Sequence, residues 1–202
     1  AVGTAGSTGL VLQTVLVPLM LADAPSRLVI EGGTHAMGAP PFEFLQKTLL
    51  PVLERMGPKI SITLERHGFF PRGGGRIVVD IDPAPLRPIE CVTRGEFKAG
   101  KVEALVAGIP FDIADRELKA ARKVLVEWPD EAFAPVQLPA ENGPGNELLM
   151  EDRAGEERIE LFTHERKNRL SLDARQDAHQ ITLESVEGDM ALRAGGNMTT
   201  EV

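Results

Sequence analysis

Only one cysteine, Cys91, occurs in the 202 residues. That excludes an internal disulfide and a multi-cysteine metal site. Cys91 itself reads as a small strand hydrophobe. No run approaches the ~18 apolar residues that a membrane-spanning helix needs, so no membrane partner is expected. No signal-peptide pattern is evident, and a cytoplasmic location is expected. An excess of positive charge is missing too: 22 basic residues face 30 acidic ones, for a formal charge of −8. A broadly basic nucleic-acid surface is therefore excluded for the whole chain, although local basic pockets are not. Against these absences stands 43% apolar content, enough for a proper core in one large or two small domains.

The clearest order lies between Glu31 and Asp82. Phe42, Leu45, Leu49, Val52, Leu53 and Met56 recur at helical spacing and predict a helix with one apolar face. Pro40 and Pro41 suit its start, and Gly57 with Pro58 stops it. Pro51 lies inside the pattern and predicts a kink, because it removes a backbone donor. Ile60, Ile62 and Leu64 then alternate with Ser61, Thr63 and Glu65, and Ile77, Val79 and Ile81 with Arg76, Val78 and Asp80. Two half-buried strands follow from that alternation. The proline and glycines of HGFFPRGGG between them cannot continue a strand.

Upstream, GTAGSTG at 3–9 is a glycine-rich turn in which Ser7 or Thr8 can cap the next helix. Such a turn at a helix start either binds an anion or is a plain structural bend. Leu10 to Leu21 is apolar nearly all round, which predicts a helix buried between layers and kinked at Pro18. Gln13 interrupts this run and needs a partner, either backbone or ligand. Arg27 to Ile30 predicts a short strand. Helices and strands in this order favour helices packed on one face of a sheet, an α+β fold.

Downstream, PAPLRP at 83–88 reads as a linker. Residues 89–109 predict two strands around Ala99–Gly100. Asp112 to Glu127 predicts a helix with Ala114, Leu118, Ala121 and Leu125 on its apolar side and Asp112 as cap.

Three histidine and arginine positions sit at the glycine turns. His35 lies in GGTHAMGAPP, and His67 and Arg72 flank HGFFPRGGG. A histidine titrates near neutrality, which makes it a candidate for chemistry. His67 and Arg72 can meet a phosphate, and solvated loop charges are the plain alternative.

GTAGSTGLVLQT at 3–14, GGTHAMGAPP at 32–41 and RHGFFPRGGG at 66–75, in that order, resemble the RNA 3'-terminal phosphate cyclase family. A weaker continuation runs through GPGN at 143–146. The resemblance implies a fold of βαβαββ units. Residues 1–84 then form a cyclase-type unit without its first strand, and residues 85–148 begin the inserted small domain. It further implies ATP with a divalent metal, Mg or Mn, as cofactor, and an RNA 3'-phosphate end as partner. The activity implied is ATP-dependent conversion of that end to a 2',3'-cyclic phosphate through an adenylylated histidine. Gln13 would contact the nucleotide and Pro40 would line its site, with His35, His67 and Arg72 as candidates for phosphate or RNA contact. The family's nucleophile stands in a glycine–acid–histidine context before a leucine-rich helix. No such segment occurs here, and His164 and His179 stand in other surroundings. No catalytic residue or metal ligand is assigned. By the family pattern the chain begins inside a motif and reads as a fragment, inactive alone.

Residues 149–202 carry short alternating pieces at 158–162, 169–172, 180–184, 190–193 and 198–202, a repeating β pattern. NELLMEDRAGEERIELF resembles the entry to the trimeric β-helix of type VI secretion spike proteins, the VgrG family. The pieces are too thin to bury a core in one chain, so a partner or a homotrimer is implied. The second functional expectation is thus a structural or assembly protein, with a join between two sequences near residues 146–152.

Overall fold

The computed structural model describes residues 5–90, 96–154, 157–163, 170–174, 181–186 and 189–194. Cys91, His164, His179 and the piece at 198–202 lie outside them.

Helix α1 (Thr8–Met20) begins at Ser7, whose Oγ accepts the Leu10 amide at 3.2 Å. The hydroxyl thus serves one of the amides that a helix start leaves unpaired. Strand β1 (Ser26–Gly32) follows. A helical rod then runs as α2 (Phe42–Phe44), a π turn (Leu45–Leu49) and α3 (Leu50–Arg55). Pro51 sits in the first turn of α3, where its missing amide costs least. The expected kink is realised as the wide turn just before it.

Strands β2 (Lys59–Arg66) and β3 (Gly75–Asp82) form a hairpin, and β1 pairs with β3 in an antiparallel sheet of order β1-β3-β2. The helices cover one face of that sheet. Leu12, Leu16 and Met20 of α1, with Phe42, Leu45 and Leu50 of the rod, pack on Ile30, Ile60, Ile62, Ile77, Val79 and Ile81. Each of these buried side chains contributes about 1.5–3 kcal/mol of apolar transfer. The other face carries ion pairs, Arg27 with Asp80 at 3.2 Å and Arg76 with Glu31 at 2.7 Å. The order helix, strand, helix, strand, strand agrees with the α+β expectation. Burial of α1 on two sides is not found: Leu10, Val17 and Leu21 are exposed by 49%, 51% and 57%. The stripe at 12, 16 and 20, with Leu19 beside it, packs on this core, because the sheet presents one apolar face.

A second sheet has the order β5-β4-β6-β7, built from β4 (Phe97–Ala107), β5 (Phe133–Leu138), β6 (Gly145–Ala154) and β7 (Glu157–Thr163). Helix α4 (Asp112–Arg122) crosses between the parallel strands β4 and β5. Its Ala114, Leu118 and Ala121 pack on Val102, Ala104, Val106 and Leu148. Two expectations are corrected here. β4 is one strand through Ala99–Gly100, which pair with Arg153 and Asp152 of β6, and the Trp128 ring rests where a side chain on Gly100 would stand, 2.3 Å away. Asp112 is no cap: Phe111 holds that place, and Asp112 pairs with Arg116 at 3.6 Å. Strand β6 also runs across residue 148. In the last part of the chain β8 (Leu170–Ala174), β9 (Ile181–Val186) and β10 (Asp189–Ala194) make a third sheet of order β8-β10-β9. The β character expected after residue 149 is thus present.

Candidate functional site

The two glycine turns meet at the end of the first sheet where β1 and β2 finish and β3 begins. Gly68 is the clasp. Its carbonyl accepts the Thr34 and His35 amides at 2.9 and 3.1 Å, and its own amide donates to Thr34 Oγ1 at 2.9 Å. Nothing larger than glycine fits. A side chain at 68 would stand 2.2 Å from the Gly75 nitrogen and 2.6 Å from the Gly32 oxygen.

The clasp sets His35. Its ring is fully buried, with Nδ1 2.8 Å from Thr34 Oγ1 and Nε2 2.8 Å from Glu43 Oε2. Glu43 comes from the first turn of the rod, eight residues on. The ring also lies beside two others, with centroids 5.2 Å from His67 and 5.1 Å from Phe69. Burial works against charge on His35, but the Glu43 carboxylate outweighs it, helped by Glu147, and holds its pKa above the ordinary imidazole value. Burial likewise opposes charge on Glu43. His35 overcomes that and keeps the carboxyl below its ordinary value. His67 is pushed down to about 4, first by burial and then by the charge on His35. The three groups therefore divide into a charged pair and a neutral imidazole. With His35 protonated, Nδ1 donates to Thr34 Oγ1 and Nε2 to Glu43 Oε2.

Glu43→Gln tests that division. The amide keeps the size but not the charge. Unfolding in urea is expected to show a loss of about 1–3 kcal/mol, the range for a buried hydrogen bond deprived of its charged partner. His35 should then titrate lower than in the parent chain.

The second sheet closes on this corner. Phe69 occupies the space over Gly145, where a Cβ would come within 2.3 Å of its ring. Lys47 Nζ meets Glu151 at 3.2 Å. Arg72 donates to the Glu141 carbonyl at 3.0 Å, with its guanidinium exposed at the rim.

Gln13 and Pro40 lie on the other side of the same turns. Thr8 binds the Gly33 carbonyl through both its amide and its hydroxyl, at 2.8 and 3.1 Å, tying α1 to the GGTH turn. The bond uses one amide of the glycine-rich helix start for structure, and Ser7 uses another. One turn before Gln13, a side chain on Gly9 would stand 3.1 Å from the Pro40 carbonyl. Residues 9 and 13 share a helix face. The Gln13 amide nitrogen is covered and, among the described residues, has no acceptor.

Sequence reasoning singled out His35, His67, Arg72, Gln13 and Pro40. The structure brings His35 and His67 into one cluster and sets Pro40 against the face of α1 that carries Gln13. Glu43 was missed. An acid in the first turn of a helix that directly follows a histidine turn was the available signal.

Comparison with known proteins places these features in a family. The model of RTC, RNA 3'-terminal phosphate cyclase, matches residues 1–196. Relatives named RNA 3'-terminal phosphate cyclase include one from Koribacter versatilis, 49% identical over 81% of this chain and 46% of its own length. Another, from Ectopseudomonas mendocina, is 48% identical over 81% of this chain and 47% of its own. A third, from Pseudomonas fluorescens, is 41% identical over 99% of this chain and 62% of its own. The chain spans about half the length of the first two. The spike resemblance of residues 149–202 gains no support, and neither do the join and the trimer built on it, since the cyclase match runs through residue 196. Among the described residues no helix is long and apolar enough to cross a membrane. Matched along nearly all its length, the chain belongs to the RNA 3'-terminal phosphate cyclase family.

Proposed function

We propose that this polypeptide supplies the adenine-nucleotide cradle of an ATP-dependent RNA 3'-phosphate cyclase, the enzyme that converts an RNA 3'-phosphate to a 2',3'-cyclic phosphate. The observation that carries the reading is the covered, unpartnered Gln13 amide nitrogen on the face of α1 that abuts Pro40. A buried amide donor without an acceptor costs about 1–3 kcal/mol. A ligand acceptor at that place removes the cost. The donor suits the ring nitrogens of a nucleobase, and Pro40 is the proposed apolar wall of the same site.

Gln13 and Pro40 would hold the base, and bound ATP would supply an activated phosphoryl centre. His67 and Arg72, at the rim of the glycine hairpin, are the proposed contacts for phosphate or RNA. Arg72 provides charge, and neutral His67 provides a hydrogen bond. His35 serves from below by fixing the turn. None of the four histidines stands in the context of the family's nucleophile. Negligible cyclisation is therefore expected from the 202 residues alone.

Calorimetric titration tests the cradle. The parent chain should bind ATP at a single site. Gln13→Ala should weaken binding about tenfold or more, the equivalent of ~1.4 kcal/mol, and Pro40→Ala less. Equal affinity in the parent and Gln13→Ala would overturn the reading, as would no binding at all.

A further inference from the structure

The cluster beneath the clasp holds three converging donors, of which the nucleotide reading uses only His67, as a phosphate or RNA contact. We propose that His35, Glu43 and His67 form a binding site for a borderline divalent transition ion such as Zn²⁺. Among the described residues they are the group of histidine and acidic side chains whose donor atoms converge, all within 4.8 Å of one another. Two imidazoles and one carboxylate, with water in a fourth position, make a common donor set for such an ion. The hard ions that accompany nucleotides prefer oxygen donors and water.

The geometry needs small adjustments. A tetrahedral ion with bonds of about 2.0–2.1 Å holds its donors about 3.3 Å apart. His35 Nε2 and Glu43 Oε2 stand at 2.8 Å, so they part by about half an ångström. The ion would take the place of the hydrogen bond between them. His67 has to approach. Rotation of its side chain would do that without moving the clasped backbone, and its half-buried ring leaves a way in from solvent.

The outer shell is already built. Nδ1 of His35 is bound to Thr34 Oγ1 at 2.8 Å, and that hydroxyl is held by the Gly68 amide at 2.9 Å. This arrangement aims Nε2 at Glu43. Partners of this kind fix the ring and the tautomer of a metal-bound histidine. The burial of His35 excludes water from one side of the site. The plain alternative is a proton-bridged pair whose only task is to hold the turn.

The experiment uses the full untagged chain, freed of metal with a chelator and then desalted. Co²⁺ is added and visible absorption recorded, followed by Zn²⁺. The expected result is one equivalent of Co²⁺ with strong tetrahedral bands that Zn²⁺ abolishes. His67→Ala and Glu43→Gln should each weaken Co²⁺ binding at least about tenfold, as loss of a ligand or its support does. The double variant His164→Gln, His179→Gln should leave the bands unchanged. Circular dichroism checks the fold of every variant. Should His67→Ala fail to fold, Glu43→Gln and the parent chain decide. An absence of bands with excess Co²⁺ overturns the proposal, and so do bands that persist at full affinity in the folded variants. Nucleotide binding plays no part in this test, so the two readings fail separately.

Discussion

Gly68→Ala is expected to lower the unfolding free energy by about 3 kcal/mol or more, and Tm by roughly 6–12 °C. The reason is space. The added methyl would meet the Gly75 nitrogen at 2.2 Å and the Gly32 oxygen at 2.6 Å, both backbone atoms of paired strands. Neither can move without opening the pairing of Gly32 with Gly75. Overpacking of this kind costs about 1–3 kcal/mol. Losing the buried bond from the Gly68 amide to Thr34 adds about 1 kcal/mol. Gly38→Ala is the comparison. It has open space around it and φ +75, so its cost is limited to left-handed backbone strain of about 1–2 kcal/mol. Urea unfolding of both variants measures the difference. A Gly68→Ala chain as stable as Gly38→Ala would show that the two turns are not clasped as described.

Gly143→Ala is expected to be as damaging, again by about 3 kcal/mol. Its methyl would fall 1.9 Å from the Ala107 carbonyl oxygen, closer than the 2.2 Å contact at Gly68. Ala107 ends β4 and pairs with Gly145, the first residue of β6. Relief of the clash must therefore part the ends of the two strands. Gly145 is also the seat of Phe69, so the damage should reach the histidine cluster. The His35 and His67 ring protons should shift in the NMR spectrum of Gly143→Ala, although residue 143 lies far along the chain. Unchanged histidine signals in a destabilised variant would mean that the second sheet does not support the corner.

Much of the first unit is legible in the sequence because its elements are local. The alternation of Ile60, Ile62 and Leu64 states a strand whatever surrounds it, and Ser7 before an apolar run states a helix start. Features that depend on distant contacts are not legible in the same way. The His35–Glu43–His67 cluster joins residues from two turns and a helix, and no period links those positions. Gly100 looked like a break, but it is the place where the Trp128 ring lies on a continuous strand. The exposed side of α1 was read as buried because an all-round apolar pattern does not say how many faces find a partner. Pro51 did announce an irregularity, and the π turn is the form it takes. The spike resemblance of the tail came from one short motif. A match that runs through residue 196 outweighs it.

The nucleotide cradle rests on one covered nitrogen atom, and that atom can be observed directly. In an isotope-labelled chain the side-chain amide of Gln13 gives its own pair of NMR signals, assigned by their loss in Gln13→Ala. Addition of ATP should move this pair in step with saturation of a single site. If ATP binds and the Gln13 signals stay in place, the cradle is not where this account puts it.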